Sequence, residues 1–395
     1  MIKFLQRFIS NPKEFAQRIS LKYAYKVIPD FLNFRYLRGF YNSKYYKAFY
    51  EKFDDYCFVV PLGIPYNYMK QRPQHIATHM SKYFSTFYYT GVLFVNDDKV
   101  RGIDKIKEDF SLINDGINGN SIFDVKKKII YTYWPIDHFF YVKADTESFV
   151  IYDCLDEIDI SPRFNNNTIE KHNFMLKRAN LILASSDELY GKIPDRYKHK
   201  SLLITNGVDV EHFNLDYKKS RTVKKEYAVC FYGALEKWID IEIIEKIAKE
   251  NNFRVKLIGP IVDPIFNRLQ DNKNIELLGH QSYSDLPLLV KDIDIFILPF
   301  RVNDLTKSVS PVKLFEHFAT GKPVVSTALP ECMKYETVFI ADINDFIMKI
   351  DEAIKFIDDD KYIESSYNYA QDNSWDSKIK KIVEKIKILN AKKDK

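Results

Sequence analysis

Glu316 sits in the one segment whose residue types and spacing could do chemistry by themselves, SPVKLFEHFATGKPVVSTALPE at 310–331. Ser310 suits an N-cap and Pro311 the first helical position. Leu314, Phe315, Phe318 and Ala319 share an apolar face, Gly321 falls where a helix ends in a left-handed residue, and Pro323 opens the apolar run VVST. The free amides over Ser310–Lys313 form the positive end of such a helix and suit a phosphate. Glu316 lies about 40° around the helical wheel from Val312. Its carboxylate is therefore expected half-buried at the rim of a cleft, where it could accept both hydroxyls of a ribose. The plainer alternative is a helix with a rim carboxylate.

The elements needed to position that helix are legible as alternation. Apolar runs CFVVPLG (57–63), FSTFYYTG (84–91), KIIYTYWP (128–135), FVIYDCLD (149–156), LILASS (181–186) and SLLITNGVD (201–209) read as short strands. They alternate with helical stretches such as NTIEKHNFMLKRAN (167–180). A polar linker at 215–226 separates a second set, YAVCFYG (227–233), FRVKLIG (253–259), IELLG (275–279), DIDIFILPF (292–300) and KPVVST (322–327). Short buried strands alternating with helices predict parallel sheets in doubly wound α/β domains. Two such domains in tandem are expected, 51–213 and 214–372. A basic amphipathic helix at 373–395, capped by Ser374, is expected to cross back to the first domain. In this class ligands bind beyond the carboxyl ends of the strands.

Composition narrows the function. The 395 residues are 46% hydrophobic, enough for two cores, and carry a net charge of +5. Residues 1–50 hold ten Lys and Arg against Glu14 and Asp30, a local +8, so the remaining 345 residues carry −3. A general nucleic-acid binder would spread basic charge over a domain, so no nucleic-acid partner is expected. Phe4, Phe8, Phe15, Tyr23, Phe31, Phe34 and Phe40 are interleaved with that charge. The 1–50 segment therefore reads either as a helical extension packed on the body or as a surface for anionic membrane. The four cysteines, Cys57, Cys154, Cys230 and Cys332, are scattered and form no ligand spacing. They are expected reduced and buried. There is no 18-residue apolar run and no signal-peptide core, so the expected location is cytoplasmic, peripheral on the inner face of the cell membrane.

SPVKLFEHFATGKPVVST resembles the donor-site signature of retaining GT-B glycosyltransferases similar to family 4 (group 1), in the branch of teichuronic-acid and capsular polysaccharide type. RPQHIATHM (72–80), VIYDCLDEI (150–158), LILASSDEL (181–189), TNGVDVEHF (205–213), YGALEKWIDIEII (232–244) and NSWDSKIKKI (373–382) match family segments in order. The resemblance implies two Rossmann-like domains facing a cleft, a nucleotide-sugar donor, and Glu316 on the nucleotide ribose. It also implies a first glutamate eight positions earlier, where this chain has Ser308. The sugar would then be held by the backbone of Lys307–Ser310, Val309 included, or the branch has another arrangement. Where the family has an Arg in the first C-domain loop this chain has Ala234, and Lys237 is the nearest match to the family's Lys; Lys313 could assist at the diphosphate. Gly233 would admit the phosphate to the backbone, Gly259 would lie near the base, and Gly63 would open the loop where donor and acceptor meet.

On the acceptor side, Asp153 and Asp156 could orient or deprotonate a hydroxyl, Asp153 alternatively capping the next segment. His138 is a further candidate beside its structural reading, and Arg72 could contact an anionic acceptor or form a surface ion pair. No Asp-x-Asp stands in a metal-binding setting, because DID at 292–294 opens a strand. No metal and no cofactor beyond the donor substrate is expected. The resulting expectation is metal-independent transfer to a lipid-linked or growing surface polysaccharide. The competing reading is a non-catalytic nucleotide-sugar-binding or scaffold protein; an epimerase or phosphorylase lacks supporting features.

Overall fold

The computed structural model describes residues 43–53, 55–92, 95–96, 100, 102–115, 119–158, 166–214 and 224–391. The expected extension at 1–50 falls outside the described residues except for its end, helix α1 (Ser43–Tyr50). Tyr46 and Tyr50 of α1 bury their rings against the body.

The first sheet has eight strands in the order β10-β9-β8-β7-β1-β2-β6-β5. In chain order these are β1 (Cys57–Val60), β2 (Thr86–Tyr89), β5 (Gly102–Lys107), β6 (Phe110–Asn114), β7 (Lys128–Thr132), β8 (Phe149–Cys154), β9 (Leu181–Ala184) and β10 (Ser201–Leu203). A two-stranded hairpin, β3 (Gly91–Val92) and β4 (Val95–Asn96), stands apart. Every pairing in the large sheet is parallel except β5 with β6. Helices α2 (Arg72–Met80), α3 (Pro135–Ala144) and α4 (Asn166–Arg178) cross between strands. The central strands are buried at every position, as sheets covered on both faces require.

The second sheet is fully parallel, ordered β13-β12-β11-β14-β15-β16. Its strands are β11 (Tyr227–Tyr232), β12 (Phe253–Ile258), β13 (Ile275–Leu277), β14 (Ile295–Leu298), β15 (Val324–Thr327) and β16 (Val338–Ala341). Helix α5 (Ile241–Lys249) shows why the pattern folds. Ile241, Ile243, Ile244, Ile247 and Ala248 are buried, and the Asp240 side chain accepts the Glu242 N–H at 3.0 Å as its cap. Helices α6 (Val312–Thr320), α7 (Phe346–Ile354), α8 (Asp360–Asp372) and α9 (Trp375–Ala391) follow. The order 3-2-1-4-5-6 reverses between β11 and β14, the place where such sheets bind ligands. The first sheet reverses likewise between β1 and β7.

Helix α9 leaves the second sheet and completes the core of the first. Trp375, Ile379, Ile382, Val383 and Ile386 pack with Phe58, Ile76 and Tyr131. Ser374 Oγ accepts the Ser377 N–H at 3.3 Å, and Val208 bridges Ser374 where the two crossings run side by side. All four cysteines are free and buried. Among the described residues no helix is long and apolar enough to cross a membrane.

Candidate functional site

Helix α6 starts one residue later than its sequence suggests. Pro311 is the N-cap and offers no side-chain cap. Ser310 faces the other way: its Oγ accepts the Asn206 N–H at 3.2 Å and its carbonyl accepts Asn206 Nδ2 at 2.6 Å. The donor-side helix is thus pinned to the end of the N-terminal domain. Gly321 closes the helix with φ 69°, as the left-handed position demands.

Glu316 is not at a rim. It is 0% exposed, and neither carboxylate oxygen receives a hydrogen bond from any described residue. Lys313 Nζ lies 3.1 Å from Oε2 and also 5.1 Å from the centre of the Tyr232 ring. The hydroxyls of Tyr232 and Tyr283 are buried without a well-formed hydrogen bond to a described residue, and that of Tyr232 is close enough to the Glu316 carboxylate to interact with it. Burial first, and the Glu316 charge second, push both phenols well above their ordinary range. A fully desolvated carboxylate with one ammonium beside it and acceptor positions left unfilled costs stability, which points to a use other than packing. It has the acceptor capacity for the two hydroxyls of a ribose.

Ser308 is buried, and its Oγ donates to Glu157 Oε2 at 3.0 Å across the domain seam. Glu157 also pairs with Lys192. The backbone holding proposed for Lys307–Ser310 does not fit at three of the four positions. The Lys307 N–H goes to Asn303 O, and those of Ser308 and Val309 both go to Thr306 O. These donors are spent inside their own turn.

The glycines have packing reasons. A Cβ on Gly259 would stand 1.9 Å from Gly233 O, so the two strand-end loops touch through bare backbone. Gly233 itself has φ 147°. A Cβ on Gly63 would meet the Tyr133 hydroxyl at 2.3 Å and His138 Nε2 at 3.1 Å. Lys237 is solvent-exposed on the loop after β11.

The acceptor-side expectations need three corrections. Asp153 is 0% exposed; Arg72 Nε and Nη2 donate to it at 2.7 and 3.1 Å, and the Tyr131 hydroxyl donates to Oδ2. A carboxylate held on both oxygens cannot reach a substrate hydroxyl. Arg72 is correspondingly buried rather than a surface or acceptor contact, and its Nη1 continues to Thr205 O at 3.0 Å. His138 is also internal: Nδ1 accepts the Tyr133 N–H at 3.2 Å, which leaves the Nε2 proton to Leu62 O at 2.9 Å. Burial pushes its pKa down to about 3, so it is a neutral strut under the Gly63 loop. Asp156 is exposed at the end of β8.

The residues that sequence reasoning missed come from remote segments. Asn206, Glu157, Tyr232, Tyr283 and Lys70 each meet the donor-side helix or its surroundings. Glu157, Asn206 and Tyr232 lie at or just after strand ends, within segments that resemble the family, whereas Tyr283 opens a short helix and Lys70 ends a long loop, with no signal in the sequence. Among the described residues no group of three or more His, Cys, Asp or Glu side chains could hold a metal ion.

Residues 226–357, which contain the β11–β14 switch point and all of α6, match the family model for glycosyl transferases group 1. This segment is similar to the group 1 glycosyltransferases. The chain is also 25% identical over 260 residues to the putative teichuronic acid biosynthesis glycosyltransferase TuaH of Bacillus subtilis (strain 168). That match covers 59% of this chain and 66% of TuaH, just under two thirds of it. Among solved structures, sucrose-phosphate synthase from Thermosynechococcus elongatus superposes with TM-score 0.67 at 11% identity, over 85% of this chain and 99% of the other. Anabaena HepE in complex with UDP and glucose gives 0.58 at 14% identity, over 84% and 99%. These likenesses show the fold, GT-B, across both sheets.

Proposed function

We propose that the chain transfers a sugar from a nucleotide-sugar donor, UDP-linked, to a lipid-linked or growing cell-surface polysaccharide, with retention and without a metal ion. The observation that carries this reading is Glu316: a buried carboxylate with no well-formed hydrogen bond from any described residue, on the helix of the segment similar to group 1 glycosyltransferases, beside the β11–β14 switch point. Glu316 takes the ribose hydroxyls. The start of α6, Lys313 and Lys237 supply positive potential for the diphosphate as it leaves. The likeness to a teichuronic acid biosynthesis glycosyltransferase supports an envelope polysaccharide as acceptor, and UDP in HepE supports the nucleotide.

Asp153, buried and held by Arg72 and Tyr131, is a structural group rather than the acceptor base. Asp156 is the remaining aspartate of that strand end with solvent access. The basic 1–50 segment is proposed to hold the enzyme at anionic membrane; vesicle binding that survived its deletion would remove that part.

The test is turnover of UDP-sugars on lipid-extract acceptors. Glu316→Ala should lower kcat/KM by about a hundredfold, the loss of two charge-assisted hydrogen bonds. The rate should not change with a chelator. Wild-type turnover by Glu316→Ala sinks the site. A second reading, a non-catalytic donor-binding scaffold, is favoured by neutral Ser308 and Ala234 where the family pattern has charge. Donor binding by calorimetry with no turnover on any acceptor would establish it.

A further inference from the structure

Lys70 ends the loop that leaves β1 at the switch point of the first sheet. The loop reaches the other domain: the Tyr68 ring stacks on His280 at 6.1 Å, and Lys70 Nζ lies 4.6 Å from the centre of the Tyr283 ring. Among the described residues the ammonium has this ring contact and no hydrogen bond or ion pair. It is nevertheless half-buried, and burial draws its pKa down while the more distant Asp209 and Glu316 charges push it up. The contrast with its neighbours is informative. Lys192, Lys313 and Lys334 at the same seam each sit on a carboxylate. A lysine that loses water without gaining an anion is held in a place where an anion belongs.

We propose that Lys70 is the N-terminal domain's cation for the phosphates of a nucleoside diphosphate bound in the seam. This rests on the donor reading of Glu316 given above. With Glu316 on the ribose, the 5′-phosphates leave toward loops of both domains. The C-terminal loop after β11 offers neutral Ala234 and an exposed Lys237 there. Lys70 supplies the missing charge from the opposite wall, as a point charge on a phosphate oxygen. Binding across the seam also makes donor affinity depend on domain closure.

The experiment is calorimetry on the full chain with UDP, UMP and uridine, using wild type, Lys70→Met and Lys70→Arg, with denaturation midpoints to certify folding. Lys70→Met should weaken UDP about tenfold or more and leave uridine unchanged, while Lys70→Arg keeps most of the UDP affinity. Equal loss for UDP and uridine, or no loss at all, overturns the assignment and leaves the donor site standing. UDP affinity kept with loss of binding to vesicles carrying a polyprenyl phosphate also overturns it, moving the lysine to the acceptor. A wild-type chain that binds none of UDP, GDP, ADP or dTDP removes the donor reading, and this inference with it.

Discussion

Asp153 and Glu316 are both 0% exposed, and their surroundings are opposite. Asp153, at the end of β8 in the N-terminal domain, receives a two-pronged arginine and a tyrosine hydroxyl. Glu316, on α6 of the C-terminal domain, has no well-formed hydrogen bond from a described residue and a single lysine beside it. Burial of a charge is affordable when donors satisfy its lone pairs. By that standard Asp153 is a fastening and Glu316 is an open receptor. The first passes its hold along Arg72 to Thr205 and Asn206, and so to Ser310 at the head of α6. The N-terminal aspartate therefore serves the C-terminal glutamate by fixing the ground it stands on.

Three measurements would break or sharpen the contrast. The largest effect is expected from Asp153→Ala, which strands the Arg72 charge in the interior. It should cost about 3–5 kcal/mol in denaturant unfolding, and the double variant Asp153→Ala/Arg72→Met should recover part of it. Full stability in the single variant would end the view of Asp153 as a fastening.

Next in size is a pH effect through His138, the other internal group of the acceptor-side set. Its folded pKa of about 3 lies below the unfolded value of about 6.5. Between those values the unfolded chain binds a proton that the folded chain refuses. Stability therefore falls as pH drops through this window, by up to about 1.4 kcal/mol per pH unit. His138→Gln should flatten that slope whatever it does to the midpoint at neutral pH. The smallest effect is expected from Glu316→Gln, which removes a buried charge whose one ion-pair partner, Lys313, keeps access to water: unfolding free energy within about 1 kcal/mol of wild type, or above it. A fall of about 3 kcal/mol would make Glu316 a structural residue like Asp153.

The architecture was legible because buried parallel strands are short continuous apolar runs, and such runs survive in sequence whatever their neighbours. The strands at 110–114 and 338–341 and the antiparallel edge at 102–107 were not read. The segment GIDKIK is exposed over most of its length and lacks the apolar signal. Glu316 was legible as a candidate from its place on the helix, but its depth was not. The wheel describes one helix, whereas Tyr232 at the end of β11 and Tyr283 in a later short helix, both under the influence of its charge, come from other elements. Ser310 misled for a related reason: a serine before a proline looks like a cap until Asn206, 104 residues earlier, takes its oxygen. The glycines were read as doors for phosphate. Gly259 answers to Gly233, and Gly63 to Tyr133 and His138, contacts that only the fold creates.

Helix α9 lends Trp375, Ile379, Ile382, Val383 and Ile386 to the interior of the N-terminal domain. On the ribosome that domain emerges before the C-terminal one, yet its hydrophobic centre stays open until the whole C-terminal domain has been translated. The half that is made earliest is finished last, and throughout that interval it is the portion of the nascent chain most in need of a chaperone.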